Sequence, residues 1–268
     1  MKSSIAETIG NVRQAGGSAF IPYVTAGFPD DSTSLDLLAA LGENGADVIE
    51  IGLPFSDPLA DGPTIQMSSR KALDNGITVK DVFNLAAKAS QQLACPLVLM
   101  TYCNPVFRRG PATFAAQTKD AGIDGIIIPD LPVDEADDWL EAAERQGLDT
   151  IFLVAPTTTT ARLRQIASKT GGFLYYVSMT GVTGSTCTVS DEMLAHVRKA
   201  QAVSAVPVAV GFGISEPAQA RTLARVADGV IVGSAFIRTI AEKTTPAEQV
   251  AAVSGLAASL STALKCPS

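Results

Sequence analysis

Two carboxylates lie near each other in the sequence, in a setting that favours proton transfer. Glu50 lies inside the short apolar run 48–51, and Asp61 follows in a loop that carries several glycines and prolines. Short β-branched runs of this kind form strands that are buried on both faces. Proline and glycine stop the strand and stiffen the connection that follows it. A strand-borne acid followed by a stiff acidic loop indicates a general acid–base site.

An ordinary alternative exists for each acid. Glutamates on strands commonly point to solvent, and aspartates in loops often cap the next helix. However, Ile49 and Ile51 flank Glu50, and successive side chains on a strand point to opposite faces. If the two isoleucines face covering helices, Glu50 faces the interior of a parallel barrel, and this orientation favours a catalytic role.

Strand-like and helix-like patterns alternate along the whole chain and predict eight strands, each followed by helix. The predicted strands are 19–25, 48–51, 97–102, 125–128, 150–154, 173–177, 207–210 and 229–232. The predicted helices are 4–14, 31–45, 79–92, 111–121, 133–146, 160–168, 191–201, 217–225, 234–243 and 246–264.

Eight such units in about 250 residues are typical of a (β/α)₈ TIM barrel. We therefore expect an α/β fold in which residues 1–268 form a single TIM-barrel domain with extra N-terminal and C-terminal helices. The main alternative is an open doubly wound sheet. That fold usually carries a glycine-rich fingerprint after its first strand, and residues 26–29, Ala-Gly-Phe-Pro, do not match it.

Composition excludes several classes of function. A net charge of −7 without a basic patch argues against nucleic-acid and membrane-surface partners, and no apolar run is long enough to span a bilayer. Cys95, Cys103, Cys187, Cys266 and the single His196 lack metal-ligand spacing, so we expect reduced thiols and no metal site. The N-terminus has no signal-peptide or transit character, and we expect a cytoplasmic protein.

Glycine-rich turns follow the last two predicted strands, where a TIM barrel commonly binds phosphate. Gly211-Phe212-Gly213 allows close backbone approach to an anion, and Gly233-Ser234 directly precedes a helix N-terminus. Residues 181–184 after the sixth strand add further amides. The alternative is that all three are ordinary strand-to-helix turns.

The mouth of the predicted barrel also carries apolar side chains, which suggests a pocket for a flat hydrophobic group. These residues are Tyr23, Met100, Ile127, Leu153 and Phe212. No Ser/His or Cys/His pair indicates a covalent nucleophile, and no lysine at a strand end indicates a Schiff-base aldolase.

Four segments resemble the tryptophan synthase alpha subunit family. They are Glu50–Pro63 (EIGLPFSDPLADGP), Phe20–Gly27 (FIPYVTAG), Ser178–Gly184 (SMTGVTG) and Gly211–Ile214 (GFGI). The matches occur in order over essentially the whole chain, and the first is long and specific. The resemblance implies a lyase that cleaves indole-3-glycerol phosphate to indole and glyceraldehyde 3-phosphate.

The resemblance also implies roles for individual residues. Glu50 matches the catalytic acid/base, Asp61 the second catalytic carboxylate, and Tyr175 a tyrosine beside the glycerol chain. Phosphate contacts are implied for Gly184, Gly213, Gly233 and Ser234. An indole pocket is implied for Tyr23, Tyr102, Ile127, Leu153 and Phe212. Tyr23 stands where other members carry Phe, and Met179 where some carry a basic residue.

The family works with a beta subunit, and the resemblance implies an alpha2beta2 heterotetramer. Pyridoxal phosphate is expected only in the beta subunit, which receives indole through a tunnel, so the alpha chain needs no cofactor. Two other functions stay open on the residues alone. One is a different phosphate-binding barrel, such as a sugar-phosphate isomerase, and the other is a non-catalytic subunit that binds a phosphate ligand.

Overall fold

The computed structural model of the chain describes residues 4–177, 190–211, 213–214 and 216–266. In this part of the chain, nine parallel strands form one sheet that is surrounded by twelve helices. The strands are β1 Ala19–Thr25, β2 Ile49–Gly52, β3 Leu97–Met100, β4 Gly125–Ile127, β5 Asp149–Ile151, β6 Leu153–Val154, β7 Leu174–Val177, β8 Val208–Gly211 and β9 Gly229–Val232. The helices are α1 Ile5–Gln14, α2 Asp31–Glu43, α3 Pro63–Asp74, α4 Val79–Gln92, α5 Cys103–Arg109, α6 Pro111–Asp120, α7 Asp137–Gln146, α8 Thr160–Lys169, α9 Asp191–Gln201, α10 Pro217–Ala224, α11 Ser234–Ala241 and α12 Pro246–Lys265.

The strand order shows how the sheet closes on itself. It runs β5-β4-β3-β2-β1-β9-β8-β7-β6, so the two end strands are neighbours along the chain. Only Phe152 separates β5 from β6, and together they occupy the predicted strand 150–154. The sheet is therefore the barrel of the predicted (β/α)₈ fold, with its fifth strand interrupted, and the fold class is confirmed.

Alternation along β2 places its residues in two different cores. Ile49 and Ile51 belong to the larger cluster packed between the strands and the helices. Val48, directly before β2, belongs to the smaller cluster inside the barrel. Glu50 has the same parity as Val48, and only 1% of its surface is exposed. The predicted inward orientation of Glu50 is therefore confirmed.

Aspartates at the N-terminal end of the barrel connect neighbouring strands. Asp47 lies two residues before β2, and Asp124 and Asp228 immediately precede β4 and β9. The N–H groups of Phe20, Leu97 and Val208, respectively, donate to their carboxylates at 2.8, 3.0 and 2.8 Å. Each bond ties the start of one strand to the start of a neighbour and leaves the opposite end free for function.

Helix α1 closes that same N-terminal end. Its Ile5 and Ile9 are fully buried and lie in the cluster inside the barrel. The Ile5 side chain comes so close to the start of β4 that a Cβ on Gly125 would lie 2.8 Å from it. With this end plugged, substrate has access from the C-terminal ends of the strands.

Several predicted boundaries differ from the structure. Strand β3 ends at Met100 rather than at residue 102, so Tyr102 becomes the N-cap of α5. Helix α7 begins at Asp137 rather than at residue 133. Helices α3 and α5 were not predicted, although α3 begins with the familiar signal of proline at the first helical position, Pro63. Among the described residues, no helix is both long and apolar enough to cross a membrane.

Candidate active site

The central group of the site is a carboxyl that has almost no contact with water. Glu50 is the second residue of β2 and is buried, and among the described residues its Oε2 atom has no hydrogen-bond partner. Burial disfavours the charged form, and the negative charge of Asp61 acts in the same direction. Together they raise the pKa of Glu50 to about 8. Glu50 therefore holds a proton at neutral pH and can serve as a general acid.

Asp61 lies eleven residues further along, in the loop between β2 and α3, and is partly exposed. Desolvation raises its pKa to about 6, although a hydrogen bond from the Tyr102 hydroxyl opposes that shift. Tyr102 in turn accepts a hydrogen bond from the Ala60 N–H at 3.2 Å. The Phe55 ring stacks on the Tyr102 ring, with 5.2 Å between their centroids. Tyr102 thus fixes both the backbone and the carboxylate of the Asp61 loop.

Tyr23 lies beside Glu50 on the neighbouring strand. The two residues are directly paired in the β1–β2 register, and Tyr23 is buried. Its hydroxyl oxygen presses against Gly52, where a Cβ atom would overlap it. Gly52 therefore leaves the space that the phenol of Tyr23 occupies.

Tyr175 has a matching arrangement across the barrel. It belongs to β7, and its ring lies over Gly211 of β8, where a Cβ atom would overlap the ring. Burial raises the pKa of Tyr175 well above its usual range, and the charges of Glu50 and Asp61 raise it further. Tyr175 therefore lies close enough to both predicted catalytic carboxylates for their charges to disfavour its ionisation.

The described phosphate candidates lie at the ends of β8 and β9. Gly213 is exposed just after β8. Gly233 is the N-cap of α11, which begins at Ser234 without a side-chain cap and without an acidic residue in its first turn. The first backbone N–H groups of α11 therefore have no side-chain cap and can donate hydrogen bonds to an anion. Gly184 lies outside the described residues.

The described residues of the predicted indole pocket occupy two different positions. Tyr23 and Tyr102 stand at the mouth beside the carboxylates. Ile127 is 1% exposed and belongs to the interior cluster, with Leu153 packed against it as a partly exposed neighbour. Phe212 lies outside the described residues. Contact of these side chains with indole stays a prediction.

Sequence reasoning missed some contributors to the site. The hydrogen bond between Tyr102 and Asp61 joins residues 41 positions apart, and no local pattern signals it. Gly52 and Gly211 were recognised only as turn glycines, whereas each makes room for a tyrosine on the preceding strand of the barrel wall. Asp57, the other acid of the Asp61 loop, is exposed, and its carboxylate accepts a hydrogen bond from the Ser56 hydroxyl.

Fold and site together define a class of protein, a (β/α)₈ barrel that holds two carboxylates of raised pKa, a type of group suited to proton transfer. Among the described residues, no group of three or more His, Cys, Asp or Glu side chains could hold a metal ion. The family model for the tryptophan synthase alpha chain matches residues 9–265.

Individual relatives agree with that match. The alpha chain of Geotalea uraniireducens is 47% identical over 240 residues, which cover 90% of both chains. The alpha chain of a Picosynechococcus species is 47% identical over 263 residues, covering 98% of this chain and 99% of the relative. The alpha subunit structure from Legionella pneumophila superposes with a TM-score of 0.90 at 37% identity and 98% coverage of both chains. A tryptophan synthase structure from Mycobacterium tuberculosis gives 0.90 at 38% identity and 99% coverage of both.

The chain belongs to the tryptophan synthase alpha chain family and is a carbon–carbon lyase of tryptophan biosynthesis. The resemblance noted in the sequence is confirmed over nearly the whole chain. The reaction of this family, cleavage of indole-3-glycerol phosphate, needs a proton donor in an apolar pocket, and the buried Glu50 carboxyl has that character.

Burial of Glu50 predicts a pH-dependent cost in stability. Below its ordinary pKa of about 4.5, the group is protonated in both the folded and the unfolded protein. As pH rises from there to about 8, only the unfolded chain ionises, so the folded state loses stability. We expect Glu50→Gln to change the free energy of unfolding in the stabilising direction as pH rises. Relative to wild type, the variant should be more stable at pH 8 than at pH 5 by a few kcal/mol.

Urea unfolding at the two pH values measures this difference. Glu43→Gln, the same change at an exposed position of α2, is the matched control. An equal effect of Glu50→Gln at pH 5 and pH 8 would contradict the raised pKa.

Proposed function

We propose that the chain cleaves indole-3-glycerol phosphate to indole and glyceraldehyde 3-phosphate, with Glu50 as the acid/base and Asp61 as the second catalytic carboxylate. The observation that carries the assignment is the buried Glu50 carboxyl, whose Oε2 has no hydrogen-bond partner among the described residues and whose pKa is about 8, together with Asp61, whose pKa is about 6. Between these values Glu50 is protonated while Asp61 is ionised. The pair then offers one proton donor and one negative charge at the same time.

The first chemical step is protonation of the indole ring. Glu50 donates its proton to ring carbon C3, and the ring becomes a cation with its charge centred on the nitrogen. Asp61 accepts a hydrogen bond from the ring N–H and stabilises that developing positive charge. Tyr102 holds the Asp61 carboxylate in place, since its hydroxyl bonds to it. Loss of the Asp61 carboxylate, or of the Tyr102 hydroxyl that holds it, therefore raises the energy of the cation.

The second step breaks the carbon–carbon bond. Glu50, now a carboxylate, takes the proton from the hydroxyl on C3′ of the glycerol chain, and a carbonyl forms there. The electrons of the C3–C3′ bond return to the ring and restore neutral indole, so protons and electrons balance. Tyr175, which converges with both carboxylates, borders the glycerol chain in this arrangement. No step uses a cofactor bound to this chain.

Glu50→Gln keeps the shape of the side chain but removes the transferable proton. We expect turnover to fall about 10²–10⁴-fold, as is typical when a general acid–base group is lost, while substrate binding stays near normal. Release of indole from indole-3-glycerol phosphate by the purified chain measures the rate. Asp57→Asn, on the same loop but exposed, is the control and should keep its activity in this assay. A Glu50→Gln variant with more than about a tenth of the rate would rule out Glu50 as the acid/base.

The phosphate of the substrate is proposed to bind between the turns after β8 and β9. The support is the uncapped start of α11 at Gly233 and Ser234, the exposed Gly213 turn, and the absence of an acidic side chain from the first turn of α11. Gly184 is proposed as a further contact on the basis of the resemblance. A helix N-terminus favours an anion through its free amides and its dipole.

A negative charge at Ser234 should oppose the phosphate. We expect Ser234→Asp to weaken binding of glycerol 3-phosphate strongly through like-charge repulsion, as measured by calorimetry. Ser234→Asn has nearly the same size without the charge, so it should weaken binding far less. Equal affinities of wild type and Ser234→Asp for glycerol 3-phosphate would contradict the proposed phosphate site.

The partner is proposed to be a tryptophan synthase beta subunit in an alpha2beta2 assembly, with pyridoxal phosphate in that subunit alone. Leu59, in the Asp61 loop, is 91% exposed, and Phe107, on α5, is 42% exposed. Tyr102 joins the two elements, since it contacts Phe55 and Ala60 and is the N-cap of α5. An apolar surface beside the catalytic mouth suits a partner that receives indole. We place the reaction in the cytoplasm, in agreement with the reduced thiols of Cys103 and Cys266.

A polar substitution on this surface should separate docking from chemistry. We expect Leu59→Ser combined with Phe107→Ser to weaken capture of the beta subunit at least tenfold, a loss of about 1.4 kcal/mol. Indole release by the isolated chain should stay near the wild-type rate, because neither side chain carries a reacting proton. Unchanged capture of the beta subunit would place the docking surface elsewhere.

A further inference from the structure

A chain of buried hydroxyl groups connects the active-site mouth with helix α3. The Tyr23 hydroxyl lies 3.2 Å from Thr25 Oγ1, which lies 2.7 Å from Ser68 Oγ. Ser68 Oγ donates to the Ile65 carbonyl oxygen at 2.9 Å. Thr25 is 1% exposed and Ser68 is fully buried. The three hydroxyls therefore bond to one another and to α3 in a site closed to bulk water.

The final acceptor fixes the direction of every bond in this chain. A carbonyl oxygen can only accept, and a serine hydroxyl carries a single proton. Ser68 donates that proton to the Ile65 carbonyl oxygen, so its oxygen accepts a hydrogen bond from Thr25. Tyr23 consequently donates to Thr25, and all three donors are satisfied only in this order. Burial and the nearby charge of Asp61 raise the pKa of Tyr23 well above its usual range, which keeps the phenol protonated as a donor.

Helix α3 also holds the backbone of Asp61. The Gln66 side-chain amide donates to the Asp61 carbonyl oxygen at 2.8 Å, and the Gln66 N–H donates to the Gly62 carbonyl oxygen at 2.9 Å. Gln66 follows Ile65, where the hydroxyl chain ends. The first turn of α3 is thus bonded to strand β1 on one side and to the Asp61 loop on the other.

The hydrogen bonds described above connect two residues of the candidate active site, Tyr23 and Asp61. Tyr23 is the register partner of Glu50, and Gly52 leaves the space in which the Tyr23 hydroxyl lies. Neither Thr25 nor Ser68 carries a charge that could take part in the reaction. Their buried bonds instead fix the distance between strand β1 and helix α3, and hence the depth at which Asp61 is held.

We propose that the Tyr23 hydroxyl, acting through Thr25 and Ser68, is a positioning group that locks the first turn of α3 and sets how deeply Asp61 sits in the site. The inference rests on the proposed role of Asp61 in catalysis. It assigns to Tyr23 a function separate from contact with the indole ring, and to Ser68 a catalytic influence exerted only through α3.

Amide hydrogen exchange tests the mechanical part without any reaction. We expect Tyr23→Phe and Ser68→Ala to speed exchange in residues 61–69 about two- to tenfold, the factor that corresponds to losing a typical hydrogen bond. Thr118→Val is the matched control. Thr118 is also a fully buried helical hydroxyl, bonded to the Phe114 carbonyl at 2.8 Å, but it lies in α6. This control should leave exchange in residues 61–69 unchanged.

The pH profile tests the catalytic part. In wild type, the acid limb of kcat/KM should report Asp61, whose pKa is about 6 because of desolvation. A loosened loop gives Asp61 more water, so its pKa falls towards the ordinary value. We expect the acid limb of Tyr23→Phe and of Ser68→Ala to move down by about half a unit to one unit. Thr25→Ser keeps the hydroxyl and should keep the wild-type limb.

The outcomes separate this inference from the proposed function. Faster exchange together with a lowered acid limb supports the positioning role. Unchanged exchange in residues 61–69, or an unchanged acid limb in both Tyr23→Phe and Ser68→Ala, overturns it even if Glu50→Gln is inactive. If wild type releases no indole, the proposed function fails, and the exchange comparison still decides whether the hydroxyls lock α3.

Discussion

The structure depends on the exclusion of water from one carboxyl group, that of Glu50. Glu50 is 1% exposed, and one of its oxygens has no hydrogen-bond partner. A buried polar group without a partner destabilises the folded state, and an ionised one does so far more. The barrel tolerates it because the interior around it is closed below by α1 and walled by paired strands. The same burial that costs stability also keeps Glu50 protonated, as the proton donor that we propose for the lyase reaction must be.

The position of Glu50 then dictates what its neighbours are. A second carboxylate at close range raises the pKa of the first, so the two acids reinforce their division into donor and charged partner. Tyrosine side chains suit the space around the two acids, because they are large and apolar yet end in a polar atom. Tyr23 and Tyr175 fit because Gly52 and Gly211 carry no side chain there. The glycines at this layer are thus as much a part of the site as the acids.

Much of this was predictable from local patterns. Alternation of Ile49, Glu50 and Ile51 was enough to turn the glutamate inward once a barrel was inferred, and the repeated strand–helix pattern was enough to infer the barrel. The strand ends then identified Asp61 and the Gly233-Ser234 turn. These features follow from periods of two or about 3.6 residues and from turn chemistry, all of which are encoded over a few neighbouring residues.

What the sequence did not reveal depends on contacts between distant parts of the chain. The bond from Tyr102 to Asp61 and the bond from Thr25 to Ser68 exist only because adjacent strands deliver their following segments to one end of the barrel. Ser68 in α3 looks like any other helical serine until its hydrogen-bond donor on β1, the Thr25 hydroxyl, is known.

This difference explains why the two carboxylates are found more easily than the groups that aim them. An acid in an apolar run stands out because its cost must be offset by function. A buried hydroxyl bonded to another hydroxyl has little net cost and little net gain, so its residue type carries almost no signal. Its importance lies in geometry, since a shift of about 1 Å at a charged group can change a rate by about 10²-fold.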